Sequence, residues 1–152
     1  MSAFGPPKHP DYAGRVRRSF AKQGMTSTIG AELVRVAPGE VEIMLPVGPA
    51  IAQQHGFAHA GAVSAIADTA AGYAALSLMP AGVGVLTVEF KINLLAAASG
   101  ERLIALGRVV KPGRTLTVTQ AEVFAETAGT RRAVALLTAT LMAIEGRDGV
   151  TD

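Results

Sequence analysis

From Ala60 to Leu78 the chain is almost wholly apolar and built mainly of Ala and Gly, and a single carboxylate, Asp68, falls near its centre. A run of this length without turn residues reads as a helix rather than a strand. It should begin near His59 or Ala60 and end by Met79, because Pro80 and Gly82 cannot continue it. The run approaches membrane-spanning length, but a central Asp is expensive in a bilayer, so a buried core helix is expected. A helix that is apolar on nearly every side must be covered nearly all round, and a flat sheet covers only one face. Either a sheet wraps it or a second copy of the chain covers the remainder. Ala60, Gly61, Ala65, Ala67, Ala70, Ala71, Gly72, Ala74 and Ala75 keep it thin enough for a close approach.

The flanking segments supply that sheet. Val34, Val36, Val41, Ile43 and Leu45 alternate with polar residues around Pro38-Gly39, which reads as two strands and a turn. After the helix, Thr87 to Leu94 carries an apolar residue at every second position and predicts a half-buried strand. Leu103–Val110 and Leu116–Ala125 follow around the turn Lys111-Pro112-Gly113-Arg114, and Ala133–Ile144 forms the last strand. Along Leu116–Ala125 the apolar positions change phase from Leu116 and Val118 to Ala121 and Val123, which predicts a bulge near Thr119. Tyr12 to Lys22 suits a short amphipathic helix ended by Gly24. The expected class is α+β: a long central helix wrapped by a curved antiparallel sheet of five to six strands, the hotdog architecture. One domain should fill residues 1–152, with a loose lead over 1–10 and a polar tail over 146–152.

Composition narrows the chemistry. At 152 residues, 49% hydrophobic and 17% charged, the chain can bury a sizeable core. Having no cysteine, it has no thiolate nucleophile, disulfide or sulfur metal ligand, so carboxylates, hydroxyls and three histidines must carry any reaction. A net charge of +2 is too small and too dispersed for a nucleic-acid footprint, although it suits a small phosphate-bearing ligand. The amino terminus lacks the apolar core of a secretory signal, so a cytoplasmic location without membrane or nucleic-acid partners is expected.

Asp68 is the anomaly. An unpaired buried carboxylate costs several kcal/mol unless it is protonated or hydrogen-bonded. It could be satisfied by backbone amides or by a basic partner such as Lys91, or it could be catalytic. The preceding loop, His55-Gly56-Phe57-Ala58-His59-Ala60-Gly61, favours catalysis, since it exposes first-turn helix amides able to bind an oxyanion. Ala60 and Asp68 are eight residues apart, about 12 Å along a helix, too far to act on one carbonyl within one subunit. If both react, they must meet across a two-fold dimer of antiparallel helices.

Over most of its length, from Arg17 to Ile144, the sequence resembles the phenylacetate-pathway (PaaI-like) thioesterases of the hotdog superfamily. The resemblance rests on Gln53-Gln54-His55-Gly56-Phe57-Ala58-His59-Ala60-Gly61, on Ala67-Asp68 with Asp68 nine residues after His59, on Thr87-Val88-Glu89-Phe90-Lys91, and on Gly113-Arg114-Thr115-Leu116. It implies acyl-CoA thioester hydrolysis with Asp68 as nucleophile or general base. Gln53 would orient the thioester or the attacking water. The helix start His59-Ala60-Gly61 would provide the oxyanion amide, and the Thr87 hydroxyl would hold water. Ala60 replaces the first of two family glycines and still supplies an amide. The resemblance also implies that Arg114, Thr115, Lys111 and Arg108 meet the CoA moiety, that CoA is part of the substrate and no separate cofactor is needed, and that the chain forms a homodimer and, by family habit, a dimer of dimers.

Other chemistries fit less well. Ser64 lacks the glycines of a nucleophile elbow. His55 and His59 lack the glutamate of a zinc helix, so no metal is expected. A hotdog hydratase or dehydratase would pair His55 with Asp68, and a non-catalytic acyl-CoA-binding protein would need an output domain.

Overall fold

The computed structural model describes residues 3–151. Its elements run α1 (Tyr12–Phe20), α2 (Gly24–Ile29), β1 (Glu32–Ala37), β2 (Glu40–Pro46), α3 (Ala60–Leu76), β3 (Val83–Leu94), β4 (Arg102–Lys111), β5 (Leu116–Thr127) and β6 (Thr130–Glu145), with a single 3-10 turn at Pro49–Ile51. The strands make one curved antiparallel sheet in the order β1, β2, β4, β5, β6, β3. The chain therefore leaves β2, crosses the whole sheet as α3, and enters β3 at the far edge. Among the described residues no helix is long and apolar enough to cross a membrane.

Small residues set how deeply α3 sinks onto the sheet. Ile66, Ala67, Ala70, Ala71, Ala74 and Leu76 are fully buried against Val41, Ile43, Leu45, Leu103, Ala105, Ala121, Val123, Leu137 and Leu141. At the closest approach, a Cβ on Gly107 of β4 would lie 2.3 Å from the Ala70 carbonyl carbon and oxygen. Only a glycine under an alanine lets helix and strand backbones meet there.

The sheet covers less of the helix than full wrapping would. Ala60 and Gly61 are exposed, and Ser64, Ala65, Asp68, Thr69 and Gly72 are partly so, which leaves one stripe of α3 open along its length. Of the two covers the sequence allows, the sheet of the single chain supplies only part. The same holds for β3, which is not half-buried in the single chain: Val88, Phe90 and Leu94 are 53%, 43% and 55% exposed. The strand starts four residues earlier than Thr87, bulges at Val88, and runs along the sheet edge, where it touches α3 but its second half is left exposed.

Two local expectations are corrected. Gly24 does not merely end the first helix, which stops at Phe20; it opens α2. On β5 the inward face does not change phase, since Thr117 and Thr119 are buried with Ala121 and Val123, while Leu116 and Val118 face out. The bulge lies across the ladder, at Val110 of β4. Apolar side chains on the outer face misled the period reading.

Arg15 closes the far end of α3. Buried at 3% exposure, it donates to the Met79 and Pro80 carbonyls at 2.9 Å and to that of Val83, satisfying carbonyls at the helix exit and tying α1 to the start of β3. One consequence of the close helix contact can be measured directly. Gly107→Ala should destabilise the fold by about 1–3 kcal/mol or more, as overpacking does, read as a fall in the urea midpoint with an unchanged slope.

Candidate active site

Asp68 sits on the open stripe of α3, half-buried, where its Oδ1 accepts a 2.8 Å hydrogen bond from the Thr87 hydroxyl. That bond spans helix and edge strand, so it exists only because α3 crosses the sheet to reach β3. Burial raises the Asp68 carboxyl above the ordinary value of 3.8, and the Thr87 bond partly offsets this by favouring the charged form. Lys91 is not its partner; it bonds Asn93 and lies on the outward side of β3, in register with Thr138. Asp68 and Thr87 share a cavity of about 300 Å³ with Ser19, Lys22, Gln23 and Tyr73. Sequence reasoning missed these last four. The signal for Ser19 and Lys22 was an amphipathic first helix, which says nothing of what its polar side faces, and Tyr73 was hidden in the apolar run of α3.

At the helix start, His59 is the N-cap and its Nδ1 accepts from the Gly61 amide at 2.8 Å. A side chain on Gly61 would crowd that ring, with a Cβ only 3.0 Å from Nδ1. The Gly61 amide is thus already bonded to the His59 ring in this structure. The Ala62 and Val63 amides both bond the His59 carbonyl. Ala60 alone in this first turn has an amide with no acceptor among the described residues.

Gln53 is held close by. Its Oε1 accepts from the His55 amide, and its backbone bonds Phe57 and Gly56, so the loop closes on itself and the side-chain Nε2 is left with no acceptor among the described residues. Gln53, His59 and Ala60 line a groove of about 500 Å³ whose far side is Leu94, Leu95 and the alanines after β3. The structure thus brings Asp68 together with Thr87, and Gln53 with Ala60 and His59, but the two groups open into different cavities of the single chain.

The remaining predicted residues are dispersed. Arg114 lines a third cavity with Lys8 at the far end of α3. The Thr115 carbonyl accepts from the Ala143 amide, and Lys111 is exposed at the end of β4. Arg108 is no open cation, because it pairs with Glu40 and Glu122 on the outer sheet face. His55 is exposed, its ring lies against Gln54, and it shares no cavity with Asp68. Among the described residues no group of three or more His, Asp or Glu could hold a metal ion.

The thioesterase superfamily sequence profile matches residues 55–131, the span that holds the helix-start loop, Asp68 and Thr87. The chain belongs to the thioesterase superfamily. A thioesterase family protein from Silicibacter pomeroyi has a solved structure with a TM-score of 0.87 and 53% identity, over 89% of this chain and 99% of that one. The PaaI protein of E. coli, from the phenylacetic acid degradation operon, shares the fold at a TM-score of 0.80 and 20% identity, covering 89% and 94% of the two chains. A Halobacterium salinarum protein provisionally named an esterase is 29% identical over 118 residues, 74% of this chain and 78% of its own. Membership in the family brings hydrolase chemistry to this hotdog thioesterase fold.

The raised Asp68 carboxyl has a testable sign. Between 3.8 and its raised value the folded chain binds more protons than the unfolded chain, so this group's contribution to stability falls as pH rises through that window. Asp68→Asn removes the charge, so the variant should melt above the parent at neutral pH, with the difference shrinking on acidification in paired thermal scans.

Proposed function

We propose that this protein is a PaaI-like acyl-CoA thioesterase that hydrolyses an acyl- or aryl-acyl-CoA to the free acid and CoA. The observation that carries this reading is the position of Asp68 and the Ala60 amide on one uncovered stripe of α3, about two helical turns apart and in separate cavities. Two antiparallel copies of the stripe would set each Asp68 opposite the partner subunit's helix start and make two equal sites.

In such a site the thioester carbonyl oxygen accepts from the Ala60 amide at the positive end of the helix, and Gln53 Nε2 orients it. Thr87 engages Oδ1 of Asp68, so Oδ2 is the oxygen free to act on the carbonyl carbon, either directly or through a water it deprotonates. Collapse of the tetrahedral intermediate expels the CoA thiolate and leaves the free acid on the water route, or on direct attack a mixed anhydride with Asp68, which a water then hydrolyses to the free acid and the regenerated carboxylate. CoA is part of the substrate, and the reaction calls for no other cofactor. Arg114, with Lys8 beside it, is the cation best placed for the CoA phosphates.

The dimer would also cover Phe90 and Leu94 of β3. A dimer of dimers would cover Leu86, Val110, Leu116 and Val118 on the outer face, all between 41% and 56% exposed. A cytoplasmic setting accords with a CoA substrate.

Subunit mixing tests the shared site. Asp68→Asn should lower kcat by roughly 10²- to 10⁴-fold. Ala60→Pro deletes the amide at the first helical position, where proline is tolerated, and His59 before it is already extended at φ −62°, ψ 140°; it should cost about 10²- to 10³-fold. Unfolding and refolding the two variants together should restore about a quarter of wild-type thiol release. Half the dimers are then mixed, and each has one of two sites intact. No recovery would place Asp68 and Ala60 in one chain and overturn the shared site. Thr87→Val removes a bond that favours the carboxylate, so the acid limb of the kcat profile should move to higher pH.

A further inference from the structure

We propose that the cavity beside Asp68 receives an acyl group whose far end carries a carboxylate, with Lys22 as its counter-ion. This rests on the thioesterase reading and adds the substrate class to it. The cavity is small, about 300 Å³, and its walls differ in character. Asp68 and Thr87 form the reacting wall. Val85, Leu141 and Gly72 line a short apolar stretch suited to a few methylenes.

The wall made by the end of α1 and the segment after it is polar and rich in donors. Gln23 Nε2 donates to the Tyr73 hydroxyl at 3.1 Å, and Tyr73 donates to Ser19 Oγ at 3.2 Å. Tyr73 is itself buried and braced edge-on by Phe20, with ring centroids 6.2 Å apart, so this relay is held in place. Having accepted from Tyr73, Ser19 keeps its own proton without an acceptor among the described residues, and Gln23 retains a second amide hydrogen. Lys22, between them in sequence, lines the same cavity with no carboxylate partner among the described residues. Thr69 and Thr151 add hydroxyls that can donate or accept, and Gln23 Oε1 can accept, but among the described residues Asp68 is the one carboxylate that lines the cavity.

A plain aliphatic tail seated here would cover these donors and satisfy none of them, which carries the penalty of unmatched polar groups. A hydroxyl would use one or two. A carboxylate accepts several bonds and neutralises the lysine. Its charge also suits the geometry of the reaction, since it sits at the lysine end of the cavity rather than beside Asp68, where like charges would repel.

The test uses the full chain and pairs of CoA thioesters matched in carbon number: butanoyl against succinyl, and hexanoyl against adipoyl. Thiol release gives kcat/KM, and calorimetry on Asp68→Asn gives binding without turnover. The carboxyl member of a pair should lead by about ten- to a hundredfold in both readouts, the scale of one hydrogen bond to a charged group. Lys22→Gln, a change at an exposed position, should bring that ratio close to one. Preference for the neutral member overturns the proposal. So does an equal loss on both members in Lys22→Gln, which would turn the lysine toward CoA itself. A lysine-dependent binding preference without any hydrolysis upholds the cavity and overturns the thioesterase reading. Neither binding nor hydrolysis of any thioester overturns both.

Discussion

The contact of Ala70 and Ala71 on α3 with Gly107 on β4 governs the rest of the molecule. With no side chain between helix and strand backbones, α3 lies deep on the sheet. Its buried face is satisfied by one sheet, and its opposite stripe is pushed clear of it. The stripe's small residues leave room at its surface, and Asp68 is the one charged group on it. A larger residue at 107 would lift the helix, change the distance from Asp68 to Thr87, and uncouple the carboxylate from the edge strand.

The chain crosses the sheet at the same place, which links that packing to chemistry. Because α3 runs from beside β2 to the opposite edge, the strand it feeds, β3, lies alongside the open stripe and supplies Thr87. Desolvation and a single hydroxyl donor then set the Asp68 carboxyl. At the other end, His59 ties up the Gly61 amide and leaves that of Ala60 open. In the proposed reading these are two halves of one centre, separated by the rise of the helix itself. A monomer cannot bring them together by any side-chain motion, because the helix between them is rigid over two turns.

Sequence reasoning was most reliable where one local rule had no competitor. The helix limits came from Pro80 and Gly82 and from the loop before Ala60, and they agree with Ala60–Leu76 to within a turn. It was least reliable where tertiary context reversed a pattern. The alternation in Thr87–Leu94 is real, but its apolar side is exposed on a sheet edge. Leu116 and Val118 are apolar yet face outward, while Thr117 and Thr119 are buried. Hydrophobicity reports that a side chain will be covered, not whether its own chain will cover it.

The sequence by itself determined that a thin, apolar helix with one carboxylate must be covered on nearly every side, by a sheet or by a second copy, and the interval from the helix start to that carboxylate follows from residue numbers and the helical rise. Both are local properties of covalent spacing and helix geometry. Only the tertiary structure decided which first-turn amide stays free, that Thr87 rather than Lys91 faces Asp68, that Arg108 is tied up by Glu40 and Glu122, and that Ser19, Lys22, Gln23 and Tyr73 share the carboxylate's cavity. Each of these depends on hydrogen bonds and packing between segments far apart in the chain, for which sequence spacing holds no information.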